Sequence, residues 1–492
     1  MPNTPSEDVT SRPLSEPPTI TEYEQLKGKV GRHALYRPDR FTLRDLVERP
    51  DQFLLKVAGQ AVLPRNFSLS GLSFRDPKKR QWTVGQVVPY SVQFGERLVL
   101  EGESTVVRSE EKRRYVEVGI TSTSVLDYEA LRAAEREHDW QEALSREENI
   151  FKDPLPSEYR QAVLELAGFC QFYKNHLGRR EMQHPGDHRA IAEEAFPGMQ
   201  RGWMELSSRA AAAAVDFLDD TETLREARLV SEHLVTPYLV EAPVLRRAYE
   251  KPLGYPGDYV VMQHYFDNTF DGDTAFGMVF HKITNEHPLS AGVRARSEQV
   301  AGEIADRARS SNGSGPLRVL SLGSGVGAEV AMVHGSAAAP VRWTLIDQED
   351  QALAVAYRNA RKLSSGMGAL PEVRCVNVSF SQLFRGEVAP DAWGEQDVIF
   401  SLGMFDYLPD AGAAMLIAAL YSRLRAGGSL YVGNAAKPNT HFWEPELALR
   451  WSLRYRDREE MEALGVALPS TARTKLGMEP AGGYHILECR KP

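Results

Sequence analysis

Residues 317 to 347 read LRVLSLGSGVGAEVAMVHGSAAAPVRWTLID, and this stretch decides the fold of the C-terminal half. An apolar run (Val319, Leu320, Leu322) enters a turn bearing Gly323, Gly325 and Gly327, a helix-compatible segment follows, and a second apolar run closes on Asp347. That order spells a βαβ unit. Its first loop is nearly bare of side chains, so main-chain N–H groups can approach a ligand beside a helix N-terminus. An acid about 20 residues beyond the glycines falls where such units grip a ribose diol.

The spacing of the glycines separates two cofactor classes. A dinucleotide fingerprint reads G-x-G-x-x-G, whereas the glycines here fall at G-x-G-x-G with Glu329 close behind. A carboxylate at the head of that helix repels a pyrophosphate and suits a cation. The pattern resembles motif I of the class I S-adenosylmethionine (SAM) methyltransferases, with Ser321 where that family often has an acid two residues before the first glycine. The resemblance implies SAM as cofactor, held by Gly323, Ser324, Gly325, Gly327 and Asp347.

Outward from this unit, VRCVNVSF is a third strand with Asn377 and Ser379 near its end. The resembled family places a partner of the adenine amino group there, and the Asn377 amide oxygen can accept that bond. DVIFSLGMFDYLPD is a fourth buried strand that breaks at Ser401 into a loop with Phe405, Asp406 and Tyr407, and RLRAGGSLYVGNAAKPN gives a fifth strand ending on Asn434. Polar residues thus gather at successive strand ends, where open α/β sheets bind ligands; Ser401 joins the expected cofactor site.

Upstream, KPLGYPGDYVVMQHYF (251–266) is a stiff Gly/Pro turn displaying Tyr255, Asp258 and Tyr259, either a binding loop or a hinge before a helix. The combination of GYPGDY, SLGMFDYLPD and the later WSLRYR (451–456) resembles bacterial methyltransferases related to those that make 3-hydroxypalmitic acid methyl ester, over roughly residues 250 to 490. It implies O-methylation of a fatty-acid carboxylate or similar small acceptor, for which Tyr255, Asp258, Tyr407, Asn434 and Arg456 are the expected binding residues. A carboxylate acceptor needs only an orienting cation, Arg454 or Arg456; a hydroxyl or amine needs a general base, His441 or Asp406. Phe442, Trp443 and Trp451 either wall the acceptor pocket or form core.

Residues 1–25 are polar and Pro-rich, too poor in apolar groups to order. Within the domain 26–127, period-two runs punctuated by turns from Phe53 to about Asp127 predict a small antiparallel β-barrel or sandwich. Within it, Asn66, Ser68 and Gly71 match the [D/N]-x-S-x-x-G signature of PilZ domains, which this region resembles. The resemblance implies a cyclic di-GMP receptor whose R-x-x-x-R pair is Arg40 and Arg44, with Arg65 as a partial substitute; a barrel that no longer binds nucleotide stays open as the alternative. From 128 to 253 the apolar spacing turns helical, a linker or cap with breaks at the Pro-Gly pairs of Pro185 and Pro197. His176, His184 and His188 straddle one of these turns and read as a surface loop rather than a metal site. Arg294 to Arg307 reads as a charged helix. The domain from 254 to 492 completes a three-part architecture: PilZ-like barrel, helical middle, Rossmann-like α/β methyltransferase.

At 492 residues the chain suits about three domains. Its net charge of -9, with Lys+Arg 58 against Asp+Glu 67, argues against nucleic acid or an anionic membrane as partner. Cys170, Cys375 and Cys489 are too few and too far apart for a disulfide framework or a zinc site, and no metal site is legible. No apolar run reaches the ~18 residues of a membrane span, and the N-terminus lacks a signal-peptide layout. The expected location is cytoplasmic, with no membrane insertion. Two rivals are a signalling adaptor with a degenerate methyltransferase fold and an NAD-dependent oxidoreductase. Composition does not fix the oligomeric state.

Overall fold

The computed structural model describes residues 41–47, 49–68, 71–123, 126–128, 130–135, 155–310, 315–334, 340–363, 371–378, 393–437 and 439–492. Arg40, Ser379 and the 1–25 tail fall outside them.

Six strands, β1 (Phe53–Val57), β2 (Gln60–Ser68), β3 (Gly71–Asp76), β4 (Val87–Phe94), β5 (Arg97–Glu111) and β6 (Val116–Ser122), close an antiparallel barrel in the order β1-β2-β3-β6-β5-β4. Alternation drives the closure: in β4, Val88, Tyr90, Val92 and Phe94 point inward and their neighbours outward. Gly71 is obligatory, because a Cβ there would stand 2.2 Å from the Ile120 carbonyl oxygen on β6. Asp76, fully buried, accepts hydrogen bonds from the Trp82 indole and the Arg80 guanidinium, pinning the loop after β3.

Two 27-residue helices, Ser157–Gln183 and His188–Ala214, turn on Pro185 and Gly186, the latter at φ 96. The break expected at Pro197 does not occur. The proline sits inside the second helix, which loses one backbone bond there but is held along its length by packing against its neighbours. The His188 ring lies 2.5 Å from Glu181, tying the turn together. The core of this helical unit is aromatic: Trp203 meets Phe280 and Trp443 edge-on, and Tyr159 bonds Ser231 and receives the Trp443 N–H. Phe442 and Trp443 are thus core, threaded into the helices from the far end of the chain.

The third part is a seven-stranded sheet of β7 (Leu317–Leu322), β8 (Val341–Asp347), β9 (Glu372–Asn377), β10 (Gln396–Ser401), β11 (Leu424–Ala435), β12 (Arg473–Met478) and β13 (Tyr484–Arg490), ordered β12-β13-β11-β10-β7-β8-β9. β7 to β11 are mutually parallel, and β13 runs antiparallel to both its neighbours. Strand order reverses at β7, whose neighbours are β8 and β10; a crevice opens at such a switch point beyond the carboxyl ends. Among the described residues no helix is long and apolar enough to cross a membrane.

Candidate functional site

The loop after β7 folds back on the tip of β8. Gly323 and Ser324 donate their N–H groups to the Ile346 carbonyl at 2.8 and 3.1 Å, and Gly325 donates to Asp347 Oδ2 at 2.8 Å while Glu349 donates to its Oδ1 at 3.0 Å. The glycines and the acid therefore converge. Burial pushes the Asp347 carboxyl above its ordinary range, against the pull of these N–H groups. The two later glycines have different tasks. A Cβ on Gly325 would meet open space, whereas one on Gly327 would stand 3.0 Å from Ala356, so Gly327 packs one helix on another and does not line the crevice.

A cavity of about 640 Å³ occupies the crevice, bordered by Gly323, Ser324, Gly325, Asp347, Tyr255 and Tyr407 among others. The rigid turn predicted at 254–257 forms part of its wall: Gly257 sits so close to Trp451 that a Cβ would fall 2.4 Å from the ring, and the Trp451 indole donates to the Tyr407 hydroxyl at 2.9 Å. Tyr407 is 43% exposed, and it borders the cavity. Burial, then the carboxylates of Asp347 and Glu349, hold the Tyr255 phenol well above its ordinary value, so it stays protonated. Asp406 also borders the cavity, with Oδ1 accepting from the Ala435 N–H at 2.6 Å; burial lifts its pKa to about 6 although Arg296 pulls it down.

Several expected site residues point elsewhere. Asp258 caps helix Tyr259–Asp267 and grips Arg247 with both oxygens, so its acceptor capacity is spent in the fold. Arg456, 1% exposed, gives its donors to Phe405 O, Leu408 O, Asp410 and Asn434. Asn434 in turn donates to the Ala435 and Arg454 carbonyls. This pair is a clamp holding the 405–410 loop on β11, and neither residue borders the cavity. Asn377 donates to the carbonyls of Asp347 and Gln348, bracing the turn that carries the acid, and Ser401 is fully buried at the end of β10, its hydroxyl unpartnered; neither lines the cavity. His441 stands outside as well, edge-on to His287 at 5.4 Å between ring centroids. His287 is the histidine at the cavity, and burial, followed by the His441 ring, drives its pKa to about 3.

At the barrel, Asn66 Oδ1 accepts the Ser73 hydroxyl at 2.6 Å, and Ser68 Oγ donates to the Gly71 carbonyl at 3.0 Å. Arg65 forms an ion pair with Glu117, which also holds Arg108. Arg44, on the segment Leu43–Leu46, borders the crevice cavity together with Phe41. Sequence reasoning missed Arg132. Buried, it donates to the carbonyls of Leu46, Lys251 and Gly254 and so ties the barrel's leading segment to the Gly/Pro turn. It also missed Arg296 on helix Pro288–Ser310, which borders the cavity. Nothing in the sequence marks either, since both stand in helical, charge-rich stretches.

Among the described residues one group of metal-ligand types lies within reach, His264, Asp271 and His281, with ligand atoms within 4.8 Å of one another. The Val244 N–H donates to His281 Nδ1 at 3.4 Å, which leaves the ring proton on Nε2 and that nitrogen unable to ligate.

No family model and no curated protein matches the sequence. Among solved structures, a possible exported protein from Bordetella parapertussis is 18% identical and aligns over 58% of this chain and 98% of its own, with a TM-score of 0.42. The magnesium protoporphyrin IX methyltransferase of Synechocystis PCC 6803 with bound SAM is 16% identical over 47% of this chain and 90% of its own, at a TM-score of 0.31. The mitomycin 7-O-methyltransferase is 16% identical over 73% of this chain and 99% of its own, at 0.32. Likenesses this distant decide nothing about chemistry, and the functional reading rests on the crevice.

Proposed function

We propose that the protein is a SAM-dependent methyltransferase that O-methylates a small or fatty-acid-like acceptor. The observation that carries this reading is the 2.8 Å bond between the bare Gly325 N–H and Asp347 at the switch point of the sheet. The residues present fit the cofactor. Asp347 keeps lone pairs for a ribose diol, Gly325 leaves room where a side chain would stand, and the Ser324 hydroxyl is buried without a partner. Glu329, buried and held by Ser297 at 2.7 Å, supplies a carboxylate for the methionyl ammonium. The same carboxylate and the reversed β13 beside β11 weigh against a dinucleotide enzyme with its parallel sheet.

Bound there, SAM supplies a sulfonium-activated methyl group that an acceptor oxygen takes up, leaving S-adenosylhomocysteine. A carboxylate acceptor arrives ionised and loses no proton, so the protein's contribution is positioning and exclusion of water. Tyr255, Tyr407 and Trp451 provide the wall for both. For a hydroxyl acceptor the proton would pass to Asp406, a carboxylate at the cavity, rather than to His441, which does not border it.

The barrel is read as a cyclic di-GMP receptor that acts on this crevice through Arg132, Phe41 and Arg44, all of which border the cavity. Calorimetry with SAM, followed by labelled SAM in a cell extract and mass analysis of the product, tests the activity. Absence of both heat and thermal stabilisation would favour the adaptor. Titrating cyclic di-GMP into wild type and R40A/R44A tests the regulation; identical binding would remove those arginines from it.

A further inference from the structure

We infer that Arg296 is the receptor for a carboxylate that a bound small molecule brings into the crevice. This rests on the methyltransferase reading and adds the ligand group that reading leaves unassigned.

Arg296 lies on helix Pro288–Ser310, is 4% exposed, and borders the cavity. Its guanidinium carbon stacks 4.0 Å over the Tyr484 ring, which fixes the plane of the fork. Nε and Nη1 have no hydrogen-bond partner. Asp406 forms an ion pair with Nη1 at 3.6 Å, longer than a hydrogen bond, and its other oxygen is already taken by the Ala435 N–H. Gly403 leaves the approach open: a Cβ there would stand 3.3 Å from Nη2.

A buried guanidinium has five donors, and leaving them unmade is costly, so an arginine at a cavity wall with Nε and Nη1 unpaired marks a ligand's place. Of the other cations bordering the cavity, Arg132 is spent on four carbonyls, Lys251 on the Arg450 carbonyl and Arg450 on Glu232, while Arg44 is exposed. A planar, bidentate, singly charged anion fits the fork. A phosphate would bring further negative charge into a cavity that already holds Glu329, Asp347, Asp406 and Glu444. Two ligands carry such a carboxylate, the methionyl end of SAM and an acid acceptor. Ser297, the next residue along, holds Glu329, so an ammonium and a carboxylate on one carbon could be met side by side.

The test is calorimetric binding to wild type, R296Q and R296K, each first checked by thermal unfolding. S-adenosylhomocysteine is compared with 5′-methylthioadenosine, which lacks the methionyl carboxylate, and decanoate is compared with decanol on protein loaded with S-adenosylhomocysteine. Loss of S-adenosylhomocysteine affinity by about 10- to 100-fold in R296Q, with methylthioadenosine unchanged, supports the methionyl source. The same loss for decanoate alone, with decanol and S-adenosylhomocysteine unchanged, supports the acceptor source. R296K keeps the charge without the fork and is expected between wild type and R296Q; if R296Q does not fold, R296K decides alone. Variants that bind every probe as wild type does overturn the inference and leave the methyltransferase reading standing. A wild type that binds neither nucleoside overturns both.

Discussion

Asp347 and Gly325 meet across the tips of two neighbouring parallel strands, side-chain carboxylate to backbone N–H at 2.8 Å. The bond fixes the carboxylate before any ligand arrives, and a preorganised acid binds a diol without first paying to order itself.

Replacing that acid is therefore expected to act on the cofactor directly. D347A should weaken SAM by about 1 to 3 kcal/mol, the worth of charged hydrogen bonds to a diol. D347N, which keeps an acceptor for the Gly325 N–H, should weaken it less. Calorimetry with both variants checks the order; unchanged affinity in D347A would mean that the ribose lies elsewhere.

A second expectation concerns Glu444, which is buried and accepts the Trp203 N–H at 2.9 Å. Burial raises its pKa from 4.5 to about 7. The folded state thus binds this proton more tightly than the unfolded chain. The stabilising contribution is full below about pH 4.5 and is lost as pH rises toward 7. E444Q keeps an oxygen for Trp203 and removes the charge, so above pH 7 it should be more stable than wild type by up to about 3 kcal/mol. The gap should close as pH falls to about 4.5, the unshifted value. Urea unfolding at a series of pH values measures it, and a pH-independent gap would contradict the burial argument.

Legibility in the sequence followed the range of the forces involved. The barrel's alternation and the apolar runs of β7, β8 and β10 are local patterns, so they read directly. So do Gly325 and Asp347, because a βαβ unit returns its second strand beside its first. Asn434 carried the expected signal of a polar residue at a strand end and Arg456 that of an orienting cation, but the fold spends their groups on each other and on Asp410. Arg296 showed the opposite pattern. On one helix it reads as part of a solvated face, and it is Tyr484, arriving on the last strand, together with Asp406 and Gly403 that encloses it. Contacts between residues so far apart in the chain leave no trace in local spacing.

Arg132 joins parts that the sequence keeps separate, and its removal should be felt at both ends. R132A leaves the carbonyls of Leu46, Lys251 and Gly254 without their donor, a loss expected to cost about 2 to 4 kcal/mol. Thermal unfolding gives the magnitude, and hydrogen exchange should show faster exchange at residues 251–257 than in wild type. Unaltered exchange there would mean that the barrel does not brace the turn.

Two glycines separate steric from conformational cost. Gly257 and Gly85 both have positive φ, 71 and 89, but a Cβ at Gly85 meets nothing within 4 Å while one at Gly257 strikes Trp451 at 2.4 Å. G85A should lose only about 1 kcal/mol, the backbone cost of a left-handed alanine. G257A must also displace the Trp451 ring and with it the indole bond to Tyr407, raising the loss to about 2 to 4 kcal/mol. Because Tyr407 and Trp451 both border the cavity, G257A should in addition weaken SAM binding, which G85A, at a barrel turn that does not line the cavity, should leave untouched. Equal stability losses, or intact binding in G257A, would show that the turn yields without moving the aromatic wall.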